Sequence, residues 1–163
     1  MKVIFLDIDG VLNFSGTEAR SPGGWVGVSS QQIKLLRDIV KETGAYLVLS
    51  STWRHEWSPD EEQCSEDGKY LNRRLTRYGL HIIDKTIKNH ENLRGEAIRE
   101  WLSRHPHVDN WIVLDDNSFL DFQKEGILPH LVMTSAVLGL TKHDADECIR
   151  KLNHRTKEED LNA

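Results

Sequence analysis

The chain has 163 residues, a formal net charge of -5 and 38% hydrophobic residues, which suits one well-filled core rather than two. That acidic balance argues against a broad nucleic-acid-binding surface, which would be strongly basic, but not against a local basic patch. No stretch approaches the roughly 20 apolar residues needed to span a bilayer, and a secretory signal pattern is lacking, so a cytoplasmic protein without membrane contact is expected.

Residues 3–6, "VIFL", form an apolar run bounded by a turn signal and read as a strand buried on both faces. "DIDGVLN" follows, then a stretch containing Gly, Ser and Pro over residues 14–28. In "SSQQIKLLRDIVKETGA", Ile33, Leu36, Ile39 and Val40 share one helical face; Ser29 or Ser30 is the expected cap and Gly44 the expected end. "YLVLSS" reads as a second buried strand, "YLNRRLTRYG" as a helix closed by Gly79, and "HIIDKTI" as a weaker third strand. "LRGEAIREWLSRH" reads as a helix with Ala97, Ile98, Trp101 and Leu102 inward, and "WIVLDD" as a fourth strand. "HLVMTS" makes a fifth strand and "TKHDADECIRKLN" a last helix capped by Thr141. Strands alternating with helices imply a parallel α/β sheet, doubly wound and covered on both faces. The expected organisation is a single domain over residues 1–153 and a charged, fraying tail over 154–163.

Ligands of such sheets bind beyond the carboxyl ends of the strands. There the sequence sets Asp7 and Asp9 after the first strand, Ser50 and Ser51 after the second, and Asp115 and Asp116 after the fourth, with Arg94 at a helix start. Residues two apart on a strand point to the same side, so Asp7 and Asp9 can face one bound group, while Gly10 permits a tight turn that brings backbone N–H groups near an anion. Carboxylates packed together repel unless a hard divalent cation sits among them, and Mg2+ takes oxygen ligands of this kind. A metal, a nucleophilic carboxylate, a hydroxyl and a fixed cation are the parts that phosphoryl transfer needs.

In this order, "DIDGVLN", "LVLSS", a later cation and "WIVLDD" resemble the four motifs of the haloacid dehalogenase-like (HAD) phosphatases. The details "LSSTWR" and "RGEAIREWL" look most like the HAD domains of Swiss Army Knife RNA repair proteins. The resemblance implies a Rossmann-like core with at most a small cap or flap. It implies Asp7 as nucleophile forming an aspartyl-phosphate, and Asp9 as the acid and base that handles the leaving oxygen and water. Ser50, Ser51, Arg94 and Gly10 would bind phosphate. Mg2+ would be held by Asp7, the backbone carbonyl of Asp9, Asp115 and Asp116. The implied substrate is a phosphorylated small molecule, a nucleotide or a phosphorylated nucleic-acid end.

Other readings remain open at this level. Lys85 and Lys88 compete with Arg94 for the cation, and Ser51 either binds phosphate or merely caps. Asn13, Trp53 and Arg54 are candidate substrate contacts; Trp53 either stacks a base or packs over the loop. Residues 14–28, with Arg20 and Trp25, are either a lid or a plain surface loop. "DDNSFLDF" contains helix-start residues, and "NRRLTR" reads as a solvated helix face. His105-Pro106-His107 resembles a loop more than a ligand pair, and Cys64 and Cys148 read as ordinary thiols. The segment 55–93 leaves no room for a large cap, so an open site is expected. The rivals are a metal-dependent nuclease and a receiver-like phospho-acceptor or binding domain without turnover; a receiver would carry its acidic pair early and its phosphorylated Asp mid-chain, the reverse of this order.

Overall fold

The computed structural model describes residues 1–87 and 92–154. Five parallel strands form one sheet: β1 (Lys2–Leu6), β2 (Tyr46–Leu49), β3 (Ile82–Lys85), β4 (Asn110–Asp115) and β5 (Leu131–Met133), in the spatial order β3-β2-β1-β4-β5. Between and after them run helices α1 (Ser30–Thr43), α2 (Glu66–Thr76), α3 (Arg94–Ser103) and α4 (Lys142–Asn153). This is the doubly wound α/β arrangement expected from the alternating pattern. The chain moves outward from β1 to β2 and β3, then returns to the other side of β1 for β4, so strand order reverses between β1 and β4. A crevice opens at such a reversal, outside the carboxyl ends of the two strands.

Side-chain alternation along β1 divides the interior. Ile4 and Leu6 join Leu47, Leu49, Ile112 and Leu114 under residues of α1, α2 and α4, whereas Val3 and Phe5 join Val48, Val113 and Trp101 on the α3 side. Phe5 is the centre of the second cluster, with edge-on contacts to Trp101 (5.4 Å) and Trp111 (5.9 Å). Both faces of the sheet are therefore covered, which is why the strands read as unbroken apolar runs.

Local chemistry explains the element ends. Ser29 takes the N-cap position of α1 without a side-chain cap bond, and Ser30 Oγ instead accepts from Arg74 Nη2 at 2.8 Å. Gly44, with φ +70°, ends the helix as expected. Helix α2 starts earlier than its apolar pattern suggested, because Ser65 caps it through Gly68 N–H. Gly68 is tolerated in that first turn because a Cβ there would come within 2.1 Å of the Glu56 carbonyl oxygen. Thr141 and Asp144 form a reciprocal capping box at the start of α4.

"DDNSFLDF" forms turns rather than a helix. Asp115 Oδ1 accepts from Asn117 N–H at 3.0 Å, and the Asp121 carboxylate is committed elsewhere, as described below. Residues 14–28 are neither a plain loop nor a separate cap but a small flap closed by an antiparallel bridge between Arg20 and Val26. Among the described residues no helix is long and apolar enough to cross a membrane. Most of the charged tail, residues 155–163, lies outside the described residues.

The Phe5 contacts generate a test of the α3-side core. Phe5→Ala should cost about 3–5 kcal/mol, as large-to-small aromatic truncations in packed cores do. Urea denaturation should show a lowered midpoint with an unchanged slope.

Candidate active site

Each strand pair continues its ladder one step past the strand end, and those steps align the site. Asp7 N–H donates to Leu114 O (2.9 Å), Ser50 N–H to Leu6 O (2.8 Å), Thr86 N–H to Leu49 O (3.0 Å) and Thr134 N–H to Asp115 O (2.9 Å). The polar residues at the carboxyl edge thus inherit sheet geometry, and Asp7 and Asp115 meet at the reversal.

Asp7 and Asp115 are both buried, and Arg94 reaches between them from the first residue of α3: its Nη1 lies 3.4 Å from Asp7 Oδ1 and 3.1 Å from Asp115 Oδ2. Nη1 also donates to Ser50 O at 3.3 Å, and Phe119 lies against the guanidinium face with its ring centroid 4.4 Å from Cζ. Lys85, by contrast, donates its ammonium to Arg54 O (2.6 Å) and Trp57 O (2.5 Å), away from these carboxylates. Lys88 lies outside the described residues.

One guanidinium cannot balance the acids. Asp7, Asp115 and Asp116 offer oxygens within 4.8 Å of one another and form, among the described residues, the group suited to hold a metal ion. Burial pushes Asp7 up to about 6, against the pull of Arg94, and burial together with the charge of Asp7 pushes Asp115 up to about 9. An all-oxygen, crowded anionic set fits a hard divalent cation. The backbone is shaped around it: Gly10 has φ +78°, and a Cβ there would lie 2.2 Å from Asp116 Oδ2.

Asp9 is exposed, unlike its partner two residues earlier, and its carboxylate is held by two side chains. Asn13 Nδ2 donates to Asp9 Oδ1 at 2.9 Å, and Trp53 Nε1 approaches both Asp9 oxygens at 3.3 and 3.4 Å. Asn13 also accepts from Gly10 N–H (2.9 Å) and donates to Gly27 O (3.0 Å), so its amide binds turn, acid and flap together. Thr134 Oγ1 donates to Gly10 O at 2.6 Å and fixes the turn from β5.

Residues 3–145 match the family described as the HAD domain in Swiss Army Knife RNA repair proteins. The chain belongs to this family. No curated protein matches it.

Within this HAD domain the structure gathers Asp7, Asp115, Asp116 and Arg94 at one point, and Ser50 stands beside them with its buried hydroxyl lacking a partner among the described residues. Ser51 is buried, and its Oγ accepts from Trp53 N–H at 3.2 Å as the cap of a short helical turn. Asn13, Trp53 and Arg54, the candidate substrate contacts, are all buried. Asn13 and Trp53 support Asp9, and Arg54 Nη1 donates to Ser51 O at 2.9 Å under the same turn. Trp53 has no exposed face on which a base could lie, because Trp25 and Tyr70 pack on it.

His105 stacks on Trp101 at 3.6 Å, and Cys148 is inert because burial pushes its thiol up to about 12. Sequence reasoning missed Asp121, whose two oxygens accept from Gly95 N–H (3.0 Å) and Glu96 N–H (2.7 Å) and so cap α3 from another segment. A signal was available: the residue before Arg94 is Leu93, which cannot cap a helix, so a carboxylate from elsewhere was needed.

The raised carboxyls predict a pH dependence of stability. Asp7 and Asp115 bind protons more tightly folded than unfolded, so their contribution is complete below about pH 4 and is lost as pH climbs through about 6 for Asp7 and about 9 for Asp115. In a chelator, the melting temperature should fall between pH 6 and 9 more steeply for the wild type than for Asp115→Asn. Mg2+ added at pH 8 should restore the wild type and leave the variant little changed.

Proposed function

We infer that this HAD domain is a metal-dependent phosphohydrolase that works through an aspartyl-phosphate, on nucleotides or phosphorylated nucleic-acid ends. The observation that carries the reading is the contrast between two acids two residues apart. Asp7 is buried beside Arg94 and Asp115, whereas Asp9 is exposed and braced by Asn13 and Trp53. One environment suits a group that attacks; the other suits a group that passes protons to and from solvent.

In the first step a carboxylate oxygen of Asp7 forms a bond to phosphorus while the bond from phosphorus to the ester oxygen breaks, and Asp9 gives its proton to that leaving oxygen. In the second, Asp9 takes a proton from water, the water oxygen bonds to phosphorus, and the bond from Asp7 to phosphorus breaks to release phosphate. Arg94 keeps Asp7 anionic and oriented, and the unpartnered Ser50 hydroxyl is a donor for an oxygen of the transferring group. Asp7, Asp115 and Asp116, with the backbone carbonyl of Asp9, would hold a divalent cation, Mg2+ by its oxygen preference, which supplies positive charge against the phosphoryl oxygens. The family's description as a domain of RNA repair proteins supports phosphorylated nucleic-acid ends as the substrate class.

The test is a pair of carboxamides. Asp7→Asn should abolish phosphate release from a generic aryl phosphate, a loss of at least about a thousandfold. Asp9→Asn should slow turnover and accumulate phosphoenzyme detectable by intact mass, and a chelator should stop the wild type. Equal, mild losses in both variants with no phosphoenzyme would instead favour a nuclease in which the acids only hold metal.

A further inference from the structure

Of the two tryptophans near Asp9, the flap leaves one ring in solvent. Trp53 is fully buried, while Trp25 is 38% exposed. Trp25 stands edge-on to Trp53, with ring centroids 5.1 Å apart and planes at 87°, and Trp53 Nε1 approaches the Asp9 carboxylate at 3.3 Å. A single indole therefore separates the catalytic acid candidate from a solvent-facing ring.

That ring is held in place. Within the flap, Ser21 Oγ accepts from Trp25 N–H at 3.1 Å, and Trp25 O accepts from Ser21 N–H at 2.9 Å. Helix α2 anchors both limbs: Asp67 Oδ1 accepts from Gly23 N–H at 2.7 Å, and Tyr70 Oη accepts from Val28 N–H at 3.2 Å. The glycines are what allow this approach, since a Cβ on Gly23 would lie 2.3 Å from Asp67 Oδ2 and one on Gly27 would lie 2.4 Å from Tyr70 Oη. The segment is a fixed support more than a loose lid.

We propose that Trp25 is a stacking platform for the nucleobase of the substrate, so that the site selects phosphate esters whose leaving group is a nucleoside over those that lack a base. This rests on the phosphohydrolase reading. Because Asp9 protonates the leaving oxygen, the leaving group lies on the Asp9 side of the phosphorus, which is the side that Trp53 and Trp25 occupy. An indole face accepts any base, so the platform favours base-bearing esters without selecting among bases. Around Trp25 the flap offers Arg20, Pro22, Gly23 and Gly24, with Val26 as one further exposed apolar side chain. That suits one flat ring better than the contiguous apolar face a protein partner requires.

The experiment compares adenosine 5'-monophosphate, adenosine 3'-monophosphate and ribose 5-phosphate. It measures kcat/KM with the wild type, Trp25→Ala, Trp25→Leu and Trp25→Phe, and calorimetric affinity with Asp7→Asn alone and combined with each Trp25 change. At least one adenosine ester should exceed ribose 5-phosphate by about tenfold in both measurements. The ratio should approach one in Trp25→Ala and in Trp25→Leu, which still covers Trp53, and should largely persist in Trp25→Phe. A ratio near one in the wild type, or one that survives Trp25→Leu, overturns the proposal. Absent turnover of every ester with the binding preference intact overturns the phosphohydrolase reading and leaves the platform standing. Equal turnover of all three does the reverse.

Discussion

The architecture converges on an electrostatic conflict. Where strand order reverses, the ends of β1 and β4 bring Asp7 and Asp115 together, the turn after β4 adds Asp116, and a single guanidinium enters from α3. Burial denies these acids the water that would let them ionise independently, which is why Asp7 rises to about 6 and Asp115 to about 9. The fold itself brings these acids together, since the neighbouring parallel strands β1 and β4 end side by side where strand order reverses.

Around the conflict lies a set of restraints with little freedom. Arg94 is fixed by Asp121 on the N-terminal amides of its own helix and by Phe119 against its guanidinium face. Breaking a buried ion pair by removing one partner typically costs about 3–5 kcal/mol, so Arg94 is part of what holds the fold together. The turn at Gly10 is held by Asn13 from one side and Thr134 from the other. The two acids of "DID" thus acquire different surroundings from neighbours far along the chain.

Strand runs, helix faces and the four motifs were legible because they are local or periodic: "VIFL", the face of Ile33, Leu36 and Ile39, and the acids at strand ends all announce themselves. What local pattern leaves open is the surroundings of polar and aromatic residues whose partners are distant in sequence. Whether Trp53 stacks a base or packs over the loop was open because nothing local says that Trp25 and Tyr70 cover it. Asn13 has three partners that include the flap carbonyl of Gly27, which no local pattern announces. The helix-start residues of "DDNSFLDF" start no helix of their own, because its carboxylates serve the turn at Asn117 and the start of α3. Helix α2 began early for the same kind of reason: Ser65 and a glycine packed against a distant carbonyl outweighed the apolar pattern.

The attachment of the flap to α2 reaches beyond the substrate it would face. Asp67 and Tyr70 grip a segment whose Gly27 carbonyl is in turn gripped by Asn13, the residue that steadies Asp9. Helix α2, which buries Leu71 and Leu75 in the core, is thereby wired to the Asp9 carboxylate. Sequence drift along α2 can thus shift how Asp9 is held while leaving every motif untouched.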